Sequence, residues 1–532
     1  MDDRLYFMGG NYSTVSYDGQ VIEPRAMNHD TKKAGSTLYY MDLDSQFPVE
    51  STIPKSALHT DTINSDISVA HQMTEYPGSN GAMWRTNDSM YFFGGGFDTA
   101  IDTVSFYNVS SGVWKEVEVS GGKFNFGNRS TAQTASVPEL GLGFIFGGSG
   151  PYMEGMIRFN ASDPNNLTWT NETLNQGSYG VNVPNLNAGT LLYIPASTDG
   201  MLISFGGGNV TEGMSPDSGW PYPAGWNTVY VYDIASHTWW MQETSGSNLP
   251  VDLDSFCAVA AVSPDRSAFH ISVYGGWSLT DQRAYEDVRI LSIPSFQWID
   301  ATELSNKTNT EQQVNTTIGR ASIGECQLFQ GTQMIVLGGD VHAGAYSLTD
   351  GACSNAFEPV RVLDLSTYEW QKSLNTSASY EVPSIIYNKI GGGPTGGATV
   401  TVPAAGFADA TLASLIQKRV PGFERKTSSQ STTSQTTASQ ASTEKSHGNN
   451  AGAIAGGVVG GVAGLAVVIA LVWYAMLRRK KRLQPEESQT STYSEPPANP
   501  SELSAEARAE LASKSDMHAE MPGSNKPVAE LA

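Results

Sequence analysis

Apolar residues in the first four hundred positions gather in short runs, and six of these runs end in a glycine pair. They are LYFMGG ending at Gly9 and Gly10, MYFFGG at Gly94 and Gly95, GFIFGG at Gly147 and Gly148, LISFGG at Gly206 and Gly207, ISVYGG at Gly275 and Gly276, and MIVLGG at Gly338 and Gly339. Short apolar runs bounded by glycine read as strands, and a recurring unit outranks any local reading. After five of the pairs comes a second strand and then a tryptophan: Trp114, Trp169, Trp239, Trp298 and Trp370. In four of these an apolar residue stands seven before the Trp, namely Tyr107, Tyr232, Leu291 and Leu363; Phe159 precedes Trp169 at a longer spacing, and LYYMDLDSQF of the first repeat has no Trp. Val229, Val231 and Ile234 alternate with polar neighbours, as half-buried strands do.

Such a unit suits the blade of a propeller, in which four short antiparallel strands stack around an axis and leave only protected edges. The glycine pair permits backbone conformations closed to other residues and close approach between blades, and the large aromatic fills the wedge between them. With glycine doublet, aromatic or Leu, then Trp, residues 1–402 resemble kelch repeats. The resemblance implies an all-β, kelch-type β-propeller of six or seven blades, like the galactose oxidase propeller. The wider plan resembles fungal single-pass, membrane-anchored kelch surface proteins; it comprises a closing stretch IIYNKIGGGPTGGATVTVP, a Ser/Thr-rich stalk, a Gly-rich span and an acidic tail.

The first repeat departs from the pattern. Every later doublet strand has another before it, for example NGAMWRT before MYFFGG, whereas LYFMGG begins four residues after Met1. Two explanations are compatible: a start at an internal Met with leader and first strand upstream, or circular closure in which residues 383–402 supply the strand.

Beyond the repeats, the pattern changes twice. Residues 403–450 are a linker whose stretch TSSQSTTSQTTASQASTEK cannot bury enough apolar area to fold and reads as a disordered, O-glycosylated stalk. Residues 451–477 carry no charge over a length sufficient for one transmembrane helix. This span ends in Trp473 and Tyr474 and then in the basic residues Arg478, Arg479, Lys480, Lys481 and Arg482. By the positive-inside rule the C-terminus is cytoplasmic, the propeller extracellular or lumenal, and the plasma membrane the expected site, a type I topology. Gly452, Gly456, Gly460 and Gly464 share one helix face, a small-xxx-small pattern that suits a homodimer or an unpaired Gly-rich anchor. The tail, 478–532, reads as disordered. N-glycosylation sequons stand at Asn11, Asn87, Asn108, Asn128, Asn160, Asn166, Asn171, Asn209, Asn306, Asn315 and Asn375, whereas in the tail Asn499 is disabled by Pro500.

Charge and chemistry narrow the function. A net charge of −22 argues against nucleic acid as a partner. Three cysteines are too few for a disulfide scaffold; Cys326 and Cys353 can form a bridge or stay as free thiols, and Cys257 reads as core. The oxidase branch of the resemblance would need copper ligands, but His29, His59, His71, His237, His270 and His342 are scattered, so no catalytic residue, metal or cofactor is assigned. Binding is the more economical role, with an extracellular protein or a cell-wall glycan as ligand. Its candidate residues are Trp220, Tyr222 and Trp226, in the loop NVTEGMSPDSGWPYPAGWNT after the fourth doublet. A copper oxidase and a ligand-free glycosylated spacer are the alternatives.

Overall fold

The structure is a computed structural model that describes residues 3–8, 37–49, 53, 56–63, 81–93, 103–121, 131–148, 155–172, 183–215, 220–247, 249, 252–278, 280–281, 283–311, 320–321, 326–341 and 360–419. Gly9, Gly10, Gly94, Gly95, Cys353, the span 451–477 and the tail lie outside them. The chain divides into two units, Met1–Ser431 and Thr432–Ala532, and the described residues belong to the first. Among the described residues no helix is long and apolar enough to cross a membrane.

The described residues form an all-β fold of propeller type. Six antiparallel sheets follow one another along the chain among the described residues, with strands of smaller sheets interposed in the fourth, fifth and sixth. The first has three strands, Arg4–Met8, Thr37–Asp42 and His59–Thr62. The other five have four, the second, for instance, running Ala82–Arg85, Ser89–Phe93, Thr103–Asn108, Val113–Glu118. In each four-stranded sheet the doublet strand is second in order, flanked on both sides, and in four of the five every one of its residues is buried.

Neighbouring sheets bury their faces against each other. Trp84, Tyr91, Ile157 and Trp169 join the second and third, and Phe144, Leu191, Tyr232 and Trp239 the third and fourth. The fourth and fifth meet through Phe205, Trp226, Phe269 and Trp298, and the fifth and sixth through Val259, Ile290, Met334 and Trp370. The first packs on both the second, through Leu38, Ile63, Phe92 and Tyr107, and the sixth, through Leu5, Met41, Ile335 and Val362. Each tryptophan after a doublet lies directly across the ladder from its partner: Tyr107 and Trp114, Phe159 and Trp169, Tyr232 and Trp239, Leu291 and Trp298, Leu363 and Trp370. Where the partner is aromatic the ring centroids are 4.8–5.0 Å apart, the range of favourable tilted packing.

Two expectations need correction. Residues 383–402 supply no strand to the first sheet. Ser384–Ile390 is a helix that buries Ile386 and Ile390 in the core between the fifth and sixth sheets, and the glycine-rich turn after it docks on the fifth, where Gly397 N donates to Asp265 at 2.6 Å. Apolar residues spaced four apart, followed by a run of turn-forming glycines, favoured helix and turn over strand. Folded structure also continues past residue 402. The helix Ala410–Leu415, capped by the Asp409 carboxylate accepting from Leu412 N, inserts Leu412 and Ile416 between the fourth and fifth sheets.

The cysteines are the other correction. Cys326 is bonded to Cys257, not to Cys353, across a Cα separation of 5.4 Å. Cys257 opens the first strand of the fifth sheet and Cys326 immediately precedes that of the sixth, so the inner strands of adjacent sheets bring together residues 69 apart in sequence.

Candidate functional site

The four described doublets end their strands at the same edge of the sheets. Gly147, Gly148, Gly206, Gly207, Gly275, Gly276, Gly338 and Gly339 all have positive φ. At Gly207 the requirement is steric as well, because a Cβ there would collide with the Asn187 carbonyl oxygen. That close approach lets three small sheets form on this face among the described residues, each pairing the segment that enters a blade with the segment that follows its doublet. Leu186–Asn187 pairs with Gly208–Met214, which pairs with Pro221–Pro223; Leu253–Asp254 pairs with Trp277–Ser278 and then Arg283–Ala284; Arg320–Ala321 pairs with Asp340–Val341. Backbone bonds stitch them sideways: Gly148 N donates to Leu186 O at 2.9 Å, Gly207 N to Leu253 O at 3.0 Å and Ser255 N to Ala188 O at 2.8 Å.

The opposite face is covered over the fourth and fifth sheets by the C-terminal segment. Ser197 N donates to Lys418 O at 3.1 Å, Asp265 N to Thr395 O at 3.1 Å, and Arg419 Nη2 to Ser267 O at 3.1 Å. The doublet face is therefore the one built from loops that carry exposed side chains.

On it, the three residues of the fourth loop separate. Trp220 is 56% exposed, at the end of the arm formed by Gly208–Met214 and Pro221–Pro223, where Ser215 N donates to its carbonyl at 2.7 Å. Tyr222, half-buried, lies across that arm's ladder from Asn209. Trp226 is not a surface residue: it is 2% exposed, packed between Phe205, Phe256 and Trp298, and its carbonyl accepts from the Trp298 indole at 3.0 Å. The reading of Trp226 as a ligand contact is thus overturned. The wedge between the fourth and fifth sheets needed a ring of that size, whereas Trp220 stands on an arm that projects beyond any core.

Sequence reasoning missed Met214, 58% exposed on the same arm, and the second arm beside it. There Arg283 lies 4.1 Å over the Tyr285 ring, and the Tyr285 hydroxyl donates to Asp281. Asp252 accepts from Ser278 Oγ at 2.9 Å, and burial, with the nearby Asp252 charge adding to it, pushes the Asp254 carboxyl up to about 6. No sequence motif marks either arm; the only signal was the unusual length of the fourth loop.

The remaining candidates fall apart as a site. His59 pairs with Asp42, and His237 with Glu172, which also accepts from Tyr232; His270 is buried with Nδ1 2.7 Å from the Tyr380 hydroxyl. His29, His71 and His342 lie outside the described residues. Among the described residues no group of three or more His, Cys, Asp or Glu is arranged to hold a metal ion. Of the sequons, Asn87, Asn166, Asn171 and Asn375 are exposed and Asn108, Asn160, Asn209 and Asn306 half-buried, while Asn11, Asn128 and Asn315 lie outside the described residues.

Doublet strands, ladder-paired tryptophans and small sheets packed face to face are what a kelch-type β-propeller is made of. The chain is 29% identical over 408 residues, 63% of its length, to a Kelch repeat-containing protein of Arthroderma benhamiae, and the match spans 57% of that relative. No family model matches the chain.

Proposed function

We propose that this chain is a membrane-tethered, six-bladed kelch-type binding protein that takes an extracellular protein ligand on its doublet face. The observation that carries this reading is the pair of large apolar side chains, Met214 and Trp220, both more than half exposed on one arm of that face. Trp is the residue most enriched among binding hot spots, and Met adapts to varied protein surfaces, which favours a protein partner over a glycan. Six blades are supported by the core that the sixth sheet shares with the first. An extracytoplasmic location is supported by the Cys257–Cys326 bond, since disulfides persist in oxidising compartments, by exposed sequons, and by the apolar span 451–477 with its basic C-terminal flank. The kelch name of the relative supports the propeller part of this reading. The galactose oxidase branch of the resemblance implies a cysteine crosslinked to a tyrosine, and the bonding of Cys257 to Cys326 gives a copper oxidase less support.

The test is a screen of the purified chain against extracellular protein and glycan arrays, followed by titration of the hits with Trp220→Ala and Met214→Ala. The expected result is a protein hit weakened at least tenfold by either change. Hits confined to glycans would reverse the ligand class, and binding that neither substitution moves would remove this arm from the site.

A further inference from the structure

The fold divides the N-glycosylation sequons into two kinds. In the second sheet Asn108 closes the turn between the third and fourth strands, its Oδ1 accepting from Ser111 N at 2.9 Å and from Ser111 Oγ at 2.8 Å. Asn160 does the same in the third sheet, where its Oδ1 accepts from Ser162 N at 2.9 Å. The fourth and sixth sheets put aspartate at this place: Asp233 accepts from Ser236 N at 2.8 Å and Asp364 from Ser366 N at 2.7 Å. All four end the third strand of their sheet, Thr103–Asn108, Met156–Asn160, Thr228–Asp233 or Val360–Asp364. An asparagine at a place where other repeats use aspartate serves as a turn acceptor. Asn209, on the arm with Met214 and Trp220, is engaged at both ends of its amide: Oδ1 accepts from Glu212 N at 3.2 Å and Nδ2 donates to the Glu212 carboxylate at 3.3 Å. Asn375 Oδ1 accepts from Ser377 N at 3.0 Å.

Asn87 and Asn166 are of the other kind. Both are exposed, both belong to sequons that are described throughout, Asn87–Asp88–Ser89 and Asn166–Leu167–Thr168, and neither side-chain amide makes a hydrogen bond among the described residues. Their turns close without them. Around Asn87, Thr86 N donates to Ser89 O at 2.9 Å. Ahead of Asn166, Asp163 Oδ1 accepts from Asn165 N at 2.9 Å, and the Asn166 backbone N–H donates to Asp163 O at 3.0 Å. Asn171 is exposed too, but its sequon ends at Thr173, outside the described residues. Asn87 stands between the first and second strands of its sheet and Asn166 between the third and fourth of its own. Because neighbouring strands are antiparallel and the second strand runs toward the doublet, both turns lie at the end of the sheet away from the doublets.

We propose that Asn87 and Asn166 carry N-linked glycans, an inference that rests on the extracytoplasmic location argued above. The co-reactant is a lipid-linked oligosaccharide pyrophosphate. A bond forms between the asparagine Nδ2 and C1 of the first sugar, and the bond from C1 to the pyrophosphate oxygen breaks. The lipid pyrophosphate leaves with the electron pair, and one amide proton passes to a base of the transferring enzyme. At these two turns the added bulk meets solvent and costs no hydrogen bond of the fold. Bulky, solubilising sugar then covers the second and third sheets at the end away from the doublets, and Met214 and Trp220 stay open to a ligand.

The test uses the full chain produced in a eukaryotic secretory host and treated with a glycan-releasing amidase in heavy-oxygen water, which turns each glycosylated Asn into a labelled Asp. Mass spectrometry of its peptides should find the label at Asn87 and at Asn166. Asn87→Gln and Asn166→Gln should each remove one step of the glycan-dependent shift in gel mobility. Stability of the chain synthesised without a glycosylating system gives a second reading. There Asn87→Gln and Asn166→Gln should leave Tm unchanged, while Asn108→Gln, which loses the turn acceptor, should lower it. Label at other sequons but missing from Asn87 or Asn166 would overturn this inference and leave the extracytoplasmic reading standing. Label at no sequon would overturn both. A Tm lowered as much by Asn87→Gln or Asn166→Gln as by Asn108→Gln would overturn the division into two kinds, and the inference with it.

Discussion

Phe7 and Phe92 occupy the same place in their repeats, two residues before a doublet, yet Phe92 is 2% exposed and Phe7 only half-buried. The difference is not in the residue or in the local strand pattern. Phe92 sits in a strand flanked on both sides within a four-stranded sheet, and Phe7 in a strand flanked, among the described residues, on one. Burial in this fold is therefore a property of the sheet's completeness, and side chains of equal hydrophobicity contribute unequally according to which strands surround them.

The sharpest way to break the comparison is to truncate both rings. Phe92→Ala should cost about 3–5 kcal/mol, the usual range for a buried Phe, measured by denaturant unfolding; Phe7→Ala should cost about 1 kcal/mol, in proportion to its smaller buried area. Equal costs would mean that the first sheet is as well packed as the second. The disulfide gives the next largest effect, because it staples the fifth sheet to the sixth, whereas the described contacts of the first sheet with its neighbours are noncovalent. Cys326→Ser should lower stability by about 2–4 kcal/mol, and mass measurement under non-reducing conditions should show the bond intact in the parent.

A third pair separates the two regions by pH. His270 stands five residues before its doublet, as Arg4 does in the first sheet; Arg4 is solvent-facing and paired with Asp42 at 3.1 Å, while burial holds the His270 imidazole down at about 3. The folded value lies below the ordinary 6.5, so the unfolded chain takes up a proton that the folded chain does not. Stability from this group is complete above pH 6.5 and declines as pH falls toward 3, by on the order of 2 kcal/mol between pH 7 and pH 5. Asp254, raised from 3.8 to about 6, works in the opposite sense, losing stability as pH rises through that window. His270→Gln should flatten the acid limb of a Tm-against-pH curve, and an unchanged curve would sink the assignment. Smallest of all is Trp220→Ala, which should change stability by less than about 0.5 kcal/mol, as surface substitutions do, while reducing ligand binding.

Much of the fold was legible because its signals are local. A short apolar run that recurs with glycine at its end reads as a strand, and the glycine pair marks a backbone that other residues cannot follow, as Gly207 against Asn187 shows. The Tyr107 to Trp114 spacing is a hairpin register, and the structure sets those residues across from each other. The candidate site was less legible. Trp220 and Trp226 are six residues apart in one loop, and nothing local tells the one on the arm from the one in the wedge; Met214 and the Arg283–Tyr285 arm carried no motif.

What the sequence determined by itself was the repeating unit, its strand character, and the apolar span that follows a Ser/Thr tract. Tertiary structure alone decided the partners: Cys257 for Cys326, a core position for Trp226, a helix rather than a closing strand for Ser384–Ile390, and half-burial for Phe7. The physical reason is that strand and turn propensities are fixed by the few residues around a position, whereas burial and pairing depend on which distant surfaces are brought within van der Waals and hydrogen-bonding reach.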